Sequence, residues 1–352
     1  MKIGIIGTPF VGKTTIFNLL TGSTDTNSKP GETKIVEVKD PRVKKLSDMY
    51  NPKKTTYATL EFTDTNGLDI EAGAKERNRV FGMIQKCDAL LWTIGNFSGV
   101  PKEPLEQFEE IKTEIILRDL ELVESRKNNL ENSKKKLEKE EEKELEILNK
   151  LYEILEKENW PQGSDYSLEE KKLISSLSLF SLKPSIIVLN SDEDAYKKET
   201  SEITKTKQIC KEFDFVLTEI CGKFEQELTE LEPEERSVFM EEMGITQSGL
   251  DILTQVVYEY VGLISFFTVG EDEVKAWTIK EGTNAKSAAG KIHSDLERGF
   301  IRAEVMHYHD LMEKGSEKAL KETGLLKVVG KEHIVEDGDI SVSYTHLTLP
   351  TN

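Results

Sequence analysis

The stretch GIIGTPFVGKTTIFNLLTG, residues Gly4–Gly22, decides the fold of the N-terminal part of this chain. It overlaps a short apolar run rich in β-branched residues, Lys2–Ile6, which predicts a buried parallel strand. The pattern G-x-x-x-x-G-K-[ST] follows, carried by Gly7, Gly12, Lys13 and Thr14. A strand, a glycine loop and a helix in this order let backbone N–H groups and the positive end of the helix dipole hold the phosphates of a nucleotide. We therefore predict a phosphate-binding loop in which Lys13 reaches the β- and γ-phosphates and the Thr14 hydroxyl ligates Mg²⁺.

The composition narrows the class of protein. The chain has 352 residues, which predicts two or three compact units, and a net charge of -18, so contact with nucleic acid requires a local basic patch. Its three cysteines, Cys87, Cys210 and Cys221, fit no zinc pattern and cannot pair completely, which favours a reducing compartment and buried apolar roles. The chain enters a strand at once and has no apolar run long enough for a bilayer. We expect a cytoplasmic protein without a signal peptide or a membrane contact.

A second landmark is the segment TYATLEFTDTNGL, Thr56–Leu68, whose alternation predicts a strand that ends in D-x-x-G. After a phosphate loop, such an ending lets the Asp64 carboxylate orient a water on Mg²⁺ and the Gly67 N–H sense the γ-phosphate. Leu68 stands where Ras-type enzymes have a water-positioning Gln, and an aliphatic side chain cannot hydrogen-bond to a water. We expect either that another group positions the attacking water or that intrinsic hydrolysis is slow.

Selectivity for the base is predicted from the end of a later strand. Asp88–Phe97 and Lys183–Asp194 both predict buried strands, and the second of them contains Asn190-Ser191-Asp192-Glu193. A guanine reader has Asn-Lys-x-Asp there, and its Asp carboxylate accepts hydrogen bonds from guanine N1–H and the 2-amino group. Here Ser191 replaces the Lys, and Glu193 replaces the Asp with a longer reach. Because adenine lacks both donors, this change removes the selection against ATP.

Two further features bear on this base-reading segment. A third strand, Phe213–Ile220, leads to Cys221-Gly222-Lys223, where a final base-contacting loop is expected. The alternative interpretation of Asn190–Glu193 is a polar surface turn without base contact, because the motif is degenerate.

These features together resemble the YchF/Obg-like ATPase family, whose marks are the phosphate loop, D-x-x-G before a hydrophobic residue, and Asn-x-x-Glu. The resemblance extends over Asp40–Leu46 and Ile111–Arg126, and it is densest in Ile264–Val305, the family's TGS module. It implies an α/β fold, a P-loop NTPase G-type domain with an inserted α-helical coiled-coil hairpin and a C-terminal α+β TGS (β-grasp) domain. It also implies that ATP is bound and hydrolysed in preference to GTP, and that the protein associates with ribosomes in translation or stress responses.

The resemblance also implies roles for individual residues. Asn190 and Ser191 would contact the adenine beside Glu193, and Phe97 would pack near the base. The residues that would hold the phosphates are Phe10, Val11, Gly12, Lys13, Thr14 and Thr15.

This chain departs from the family in both switch regions. The segment TGSTDTNSKPGETKIVEV is short and lacks the family's run with a Thr that completes the Mg²⁺ shell. Ser28 is the nearest hydroxyl by position, and the alternatives are Thr24, Thr26 and Thr33. The segment LDIEAGAKERNRVF after D-x-x-G is altered as well. Because the phosphate loop carries binding and the switch regions carry catalysis, the departure concerns catalysis rather than binding. The chain is interpreted as a divergent branch of the family, a paralogue.

A highly charged segment, Glu106–Glu158, contains no Gly or Pro and has apolar residues at steps of three and four, which predicts helix. The sequence alone permits one very long helix. The family resemblance implies an antiparallel hairpin that turns within Asn132–Leu148. Both a solvated strut and a partner-docking arm fit this composition.

The C-terminal part is predicted to form strands at Ile264–Gly270, Val274–Ile279 and His333–Ile340 around a helix at Ala285–His293. Basic residues exceed acidic ones there, and with nearby aromatics they form the best candidate for contact with RNA. The alternative is that the aromatic residues belong to the core and the basic ones only aid solubility. The residues concerned are Lys275, Lys280, Lys286, Lys291, Arg298 and Arg302, with Trp277, Phe300 and Tyr308.

We therefore predict a G-type domain of residues 1–103 and 183–262, a helical insertion of 104–182, a TGS domain of 263–343 and a tail of non-native origin, 344–352. The leading hypothesis is a Mg²⁺-dependent ATPase switch that binds ribosomes or RNA through the TGS domain and the helical hairpin. The alternatives are a GTP-selective GTPase of the same fold and a nucleotide-gated ribosome- or RNA-binding protein that does not hydrolyse the nucleotide.

Overall fold

The computed structural model describes residues 1–23, 30–69, 73–242 and 247–346. The chain divides into two compact units: Met1–Ile35 with Glu61–Leu250, and Val36–Leu60 with Asp251–Asn352. No helix among the described residues is long and apolar enough to cross a membrane.

Strands and helices alternate in the first unit, whereas strands dominate the core of the second. The strands are β1 Lys2–Ile6, β2 Thr33–Val38, β3 Lys54–Thr56, β4 Ala58–Thr63, β5 Ala89–Asn96, β6 Ser185–Ser191, β7 Val216–Ile220, β8 Leu263–Thr268, β9 Glu273–Lys280, β10 Phe300–His307, β11 Lys327–Val329 and β12 Asp339–His346. The helices are α1 Lys13–Thr21, α2 Pro41–Tyr50, α3 Ala74–Ile84, α4 Pro104–Glu131, α5 Lys139–Glu156, α6 Leu168–Leu173, α7 Ser201–Glu212, α8 Gly222–Glu230, α9 Pro233–Glu242, α10 Gly249–Tyr260, α11 Ala285–Ile292, α12 Ser294–Arg298, α13 Tyr308–Lys314 and α14 Glu317–Thr323.

The first sheet has the strand order β2-β4-β1-β5-β6-β7. β1 pairs in parallel with both β4 and β5, and β6 pairs in parallel with β5 and β7. The central strands β5 and β6 are buried over almost their whole length, because helices cover both faces of a parallel sheet. The predicted strands of this unit are confirmed, and their carboxyl ends place Gly7, Asp64, Phe97 and Asn190 just beyond or at the end of β1, β4, β5 and β6.

The charged segment forms a helical hairpin rather than one long helix. α4 begins at Pro104, which suits the first turn of a helix, and ends before Asn132. α5 begins after Glu138, which forms a reciprocal capping box with Glu141. The two helices pack through fully buried side chains, and the Arg126 guanidinium donates to both carboxylate oxygens of Glu144 at 2.8 and 2.7 Å. The predicted turn within Asn132–Leu148 is therefore confirmed, and supercoiling of the pair stays a prediction.

One buried carboxylate joins α4 to the segment that leads into β6. Asp119 is fully buried, and its oxygens accept hydrogen bonds from the backbone N–H groups of Phe180 at 2.9 Å and Ser181 at 2.6 Å. Burial raises the pKa of Asp119 to about 6, although these hydrogen bonds act in the opposite direction. The hairpin is thus anchored to the segment that precedes β6, the strand that leads into the base-reading segment Asn190–Glu193.

The sheet of the second unit has the order β11-β10-β12-β8-β9-β3. β8 and β9 form an antiparallel pair, β12 runs parallel to β8, and α11 covers the sheet through small buried residues. β3 pairs in parallel with β9, from Lys54 opposite Glu273 to Thr56 opposite Lys275. β3 therefore belongs to the second sheet, and residues 36–60 are grouped with the second unit. The sequence placed these residues in the first domain, and its domain bounds stay a prediction.

One local prediction for this unit needs correction. The predicted strand over 333–340 is wrong: β12 begins only at Asp339, and Gly338 turns the chain with a φ of 92°. β12 continues through His346, which lies opposite Phe300 on β10, and the predicted domain end at residue 343 stays a prediction. The remainder of the predicted tail, residues 347–352, lies outside the described residues.

Candidate functional site

The phosphate loop connects β1 to α1 and brings Lys13 to the first turn of the helix. Lys13 is only 6% exposed, and its ammonium donates to the Thr8 carbonyl oxygen at 2.6 Å. Burial lowers the pKa of Lys13 to about 8, and the nearby Asp64 carboxylate acts in the opposite direction. A buried ammonium that is held by one carbonyl of its own loop is available to an incoming polyphosphate.

At two positions of this site only glycine fits. Gly12 has a φ of 89°, and a Cβ atom there would lie 2.3 Å from Asn190 Nδ2. Gly67 lies against the loop, so that a Cβ atom would lie 2.9 Å from the Pro9 nitrogen. These contacts leave no room for a larger residue. The predicted sensor Gly67 thus lies directly beside the phosphate loop.

The other predicted phosphate-binding residues differ in exposure. Phe10 has a φ of 66°, unusual for a bulky residue, and its ring is 80% exposed. Val11 is buried, and Thr15 points outward from α1. Gly7 is packed so closely that a Cβ atom would lie 2.5 Å from the Thr93 carbonyl oxygen.

Thr14 and Asp64 form an oxygen-rich pair at the end of the loop. The Thr14 hydroxyl lies 3.3 Å from Asp64 Oδ2, and Asp64 is 2% exposed. A hydroxyl and one carboxylate suit Mg²⁺, which takes its remaining ligands from phosphates and water rather than from a cage of protein side chains. The residues present therefore fit Mg²⁺.

The switch segments are only partly described. Among the candidate hydroxyls, Thr33 bonds to the Thr63 hydroxyl at 2.8 Å, and Thr24, Thr26 and Ser28 lie outside the described residues. Leu68 is 2% exposed and belongs to the apolar core, while its backbone N–H donates to the Gly7 carbonyl oxygen at 2.8 Å. Its side chain therefore packs in the core and does not position a water.

Asn190 connects the phosphate loop to the loop after β7. Its Nδ2 donates to the Val11 carbonyl oxygen at 3.1 Å, and its Oδ1 accepts from the Gly222 N–H at 3.1 Å. Ser191 is buried, and its hydroxyl donates to Glu219 Oε1 at 2.6 Å and accepts from Asn96 at 2.9 Å. The predicted contacts of Asn190 and Ser191 with adenine stay predictions, because the structure gives both side chains protein partners.

Two residues at this end of the sheet complete the description. Glu193 is exposed and forms an ion pair with Lys223 at 3.3 Å. Phe97 is half-buried and lines a cavity of about 320 Å³ between the loops that follow β5 and β6. No role was predicted for Glu219 from the sequence. A carboxylate inside a predicted strand is nevertheless a signal that the side chain has a specific partner.

The basic region of the second unit agrees only partly with its predicted role. Phe300 and Tyr308 are buried, so their rings belong to the core and cannot stack on bases. Trp277 is half-buried, donates to the Thr268 hydroxyl at 2.9 Å and has the Lys275 ammonium 3.8 Å from its ring centroid. The remaining basic residues are exposed: Lys280, Lys286, Lys291, Arg298 and Arg302.

The parallel sheet, the phosphate loop before α1 and the Asn190 bridge define a P-loop NTPase of the G-domain class. Two sequence families match this chain: YchF-GTPase_C, described as a protein of unknown function (DUF933), over residues 263–345, and MMR_HSR1, described as 50S ribosome-binding GTPase, over residues 2–150. A Bacillus subtilis protein named Ribosome-binding ATPase YchF is 38% identical over 97% of this chain and 98% of its own length. An Escherichia coli O157:H7 protein of the same name is 33% identical over 96% and 97%.

A solved structure, the Schizosaccharomyces pombe YchF GTPase, superposes with a TM-score of 0.86 at 30% identity and covers 98% of this chain and 97% of its own. The chain therefore belongs to the YchF family, and the resemblance predicted from its motifs is confirmed.

Proposed function

We propose that this protein is a nucleotide-dependent, ribosome-binding ATPase that uses Mg²⁺. The observation that carries the proposal is the convergence of Lys13, Thr14 and Asp64 on one phosphate loop whose Val11 carbonyl is held by Asn190. The relatives named Ribosome-binding ATPase YchF support it, since they match over almost the whole chain.

Each residue has a distinct task in this proposal. Lys13 neutralises charge on the β- and γ-phosphates, and Thr14 and Asp64 would hold Mg²⁺, which would supply further positive charge at the phosphates. The Gly67 N–H senses the γ-phosphate beside the loop. Because the Leu68 side chain is buried in the core, we expect slow hydrolysis in the absence of a partner.

The contact with ribosomal RNA is proposed to involve the helical hairpin and the exposed basic residues of the second unit. These residues carry positive charge on a protein whose net charge is -18, so they are sites where RNA phosphates are attracted rather than repelled. Because such contacts release counterions, ribosome binding should weaken steeply as the salt concentration rises.

The test is titration calorimetry with ATP and GTP in the presence of Mg²⁺, followed by a multiple-turnover assay with and without ribosomes. We expect ATP to bind at least about tenfold more tightly, which corresponds to about 1.4 kcal/mol, and ribosome sedimentation to depend on the nucleotide. Lys13→Ala should abolish nucleotide binding, whereas Lys44→Ala, a change of an exposed lysine on α2, should not alter it.

Other outcomes identify the alternatives. Equal or tighter binding of GTP would contradict the ATPase proposal in favour of a GTPase. Tight ATP binding without turnover, even with ribosomes, would leave a nucleotide-gated binder.

A further inference from the structure

Three carboxylates lie around the base-reading segment at the ends of β6 and β7, and each is held by a donor of the protein itself. Asp192 accepts from the backbone N–H groups of Ser98 at 3.1 Å and Ala195 at 2.9 Å. Glu219 accepts from the Ser191 hydroxyl at 2.6 Å and from the Lys197 N–H at 3.2 Å. The third, Glu193, accepts from Lys223 at 3.3 Å.

The third carboxylate differs from the other two in what holds it. Asp192 and Glu219 each have more than one donor, including backbone N–H groups that substitution of a side chain does not remove. Glu193 is exposed, and the bond that the structure gives its carboxylate comes from one lysine side chain. Its availability to a ligand therefore depends on Lys223.

Lys223 lies where it can affect whether guanine or adenine is bound. It follows Gly222, whose N–H donates to Asn190 Oδ1, so the Glu193–Lys223 pair joins the two loops that Asn190 also holds together. Guanine offers N1–H and a 2-amino group to a free carboxylate, whereas adenine offers neither. A carboxylate already engaged by an ammonium is a poor acceptor for guanine, and adenine is unaffected.

We infer that Lys223 is a specificity-determining residue that occupies the Glu193 carboxylate and thereby disfavours GTP. This inference rests on the proposed ATP-binding function of the same site. It gives the loop after β7 an active part in the choice of nucleotide, beyond the change from Asp to Glu at position 193.

The test measures the ratio of the GTP and ATP dissociation constants in the full chain by calorimetry with Mg²⁺. Lys223→Met keeps an unbranched side chain of similar size and removes the charge, and we expect it to lower the ratio of GTP to ATP dissociation constants by about threefold or more. Lys223→Arg keeps the cation and should leave the ratio close to that of the unchanged protein. Both substitutions affect an exposed side chain, so folding should be retained.

The decisive control is Glu193→Gln. Alone it should leave the ratio nearly unchanged, because the carboxylate is already occupied, and combined with Lys223→Met it should remove the gain in GTP binding. A ratio that stays constant in Lys223→Met, or a gain that persists in the double variant, would overturn the inference. If the unchanged protein preferred GTP, that result would count against the proposed function. The difference in the ratio between the unchanged protein and Lys223→Met would still test the role of Lys223.

Discussion

At the scale of single residues, Lys13 combines burial with a charge that the phosphate site needs. Its surroundings favour the neutral amine, so that its pKa falls to about 8, well below the ordinary value of 10.5. A polyphosphate stabilises the ammonium and must raise this pKa on binding. Proton uptake and nucleotide binding are therefore linked at this residue.

The linkage predicts a specific dependence on pH. Below about pH 8 Lys13 is already protonated, so ATP affinity should be nearly constant there. Above that value the amine must first gain a proton, and the affinity should fall by up to about tenfold per pH unit. Calorimetry at pH values on both sides of about 8, in buffers of different ionisation enthalpy, measures the uptake directly. Absence of proton uptake on the alkaline side would contradict the assignment.

At the scale of secondary-structure elements, α4 is tied to the chain entering β6 through Asp119. Removing this side chain leaves two buried backbone N–H groups without their acceptor. Asp119→Ala should therefore lower the free energy of unfolding by about 2–4 kcal/mol in denaturant titrations. Glu124→Ala, on an exposed position of the same helix, should change it by less than about 0.5 kcal/mol.

The pH dependence of this effect has a definite sign. Because the folded pKa of Asp119 is raised from 3.8 to about 6, its contribution to stability is complete below the unfolded value and is lost as the pH rises through about 6. The cost of Asp119→Ala should thus be larger near pH 4 than near pH 7. An equal cost at both pH values would show that the carboxyl group does not titrate as burial requires.

At the scale of the whole molecule, residues 36–60 are distant in sequence from the remaining residues of their unit, which begin at Asp251. Arg42 on α2 connects the two parts of that unit, because its guanidinium bonds to Asp40 at 2.7 Å and to Asp337 at 2.6 Å. Asp337 in turn accepts from the Ser265 N–H on β8 at 2.9 Å. The ion-pair network therefore stabilises long-range contacts of the second unit.

Arg42→Ala should destabilise this unit by about 1–3 kcal/mol, because it leaves two acidic side chains without their shared cation in a partly buried setting. Hydrogen exchange should become faster in β8 and β9, whereas Lys44→Ala, an exposed neighbour on the same helix, should leave it unchanged. Unaltered exchange in Arg42→Ala would mean that the packing of residues 36–60 does not depend on this network.

The sequence by itself determined the elements whose signals are local. The glycine pattern, Lys13 and Thr14 identify the phosphate loop because a loop of this kind binds phosphates through its own backbone. Apolar runs likewise predicted β1, β5 and β6, since burial on both faces leaves a continuous apolar stretch. Apolar residues at steps of three and four predicted helix over Glu106–Glu158, whereas the turn that makes it a hairpin was implied only by the family resemblance.

Only the tertiary structure decided which distant residues meet. The pairing of β3 with β9, the core position of Leu68 and the bonds of Asn190 to Val11 and Gly222 join segments far apart in the chain. Side-chain pairs such as Ser191 with Glu219 likewise depend on the register of neighbouring strands. Such contacts arise from packing, and no periodicity in one segment encodes its partner in another.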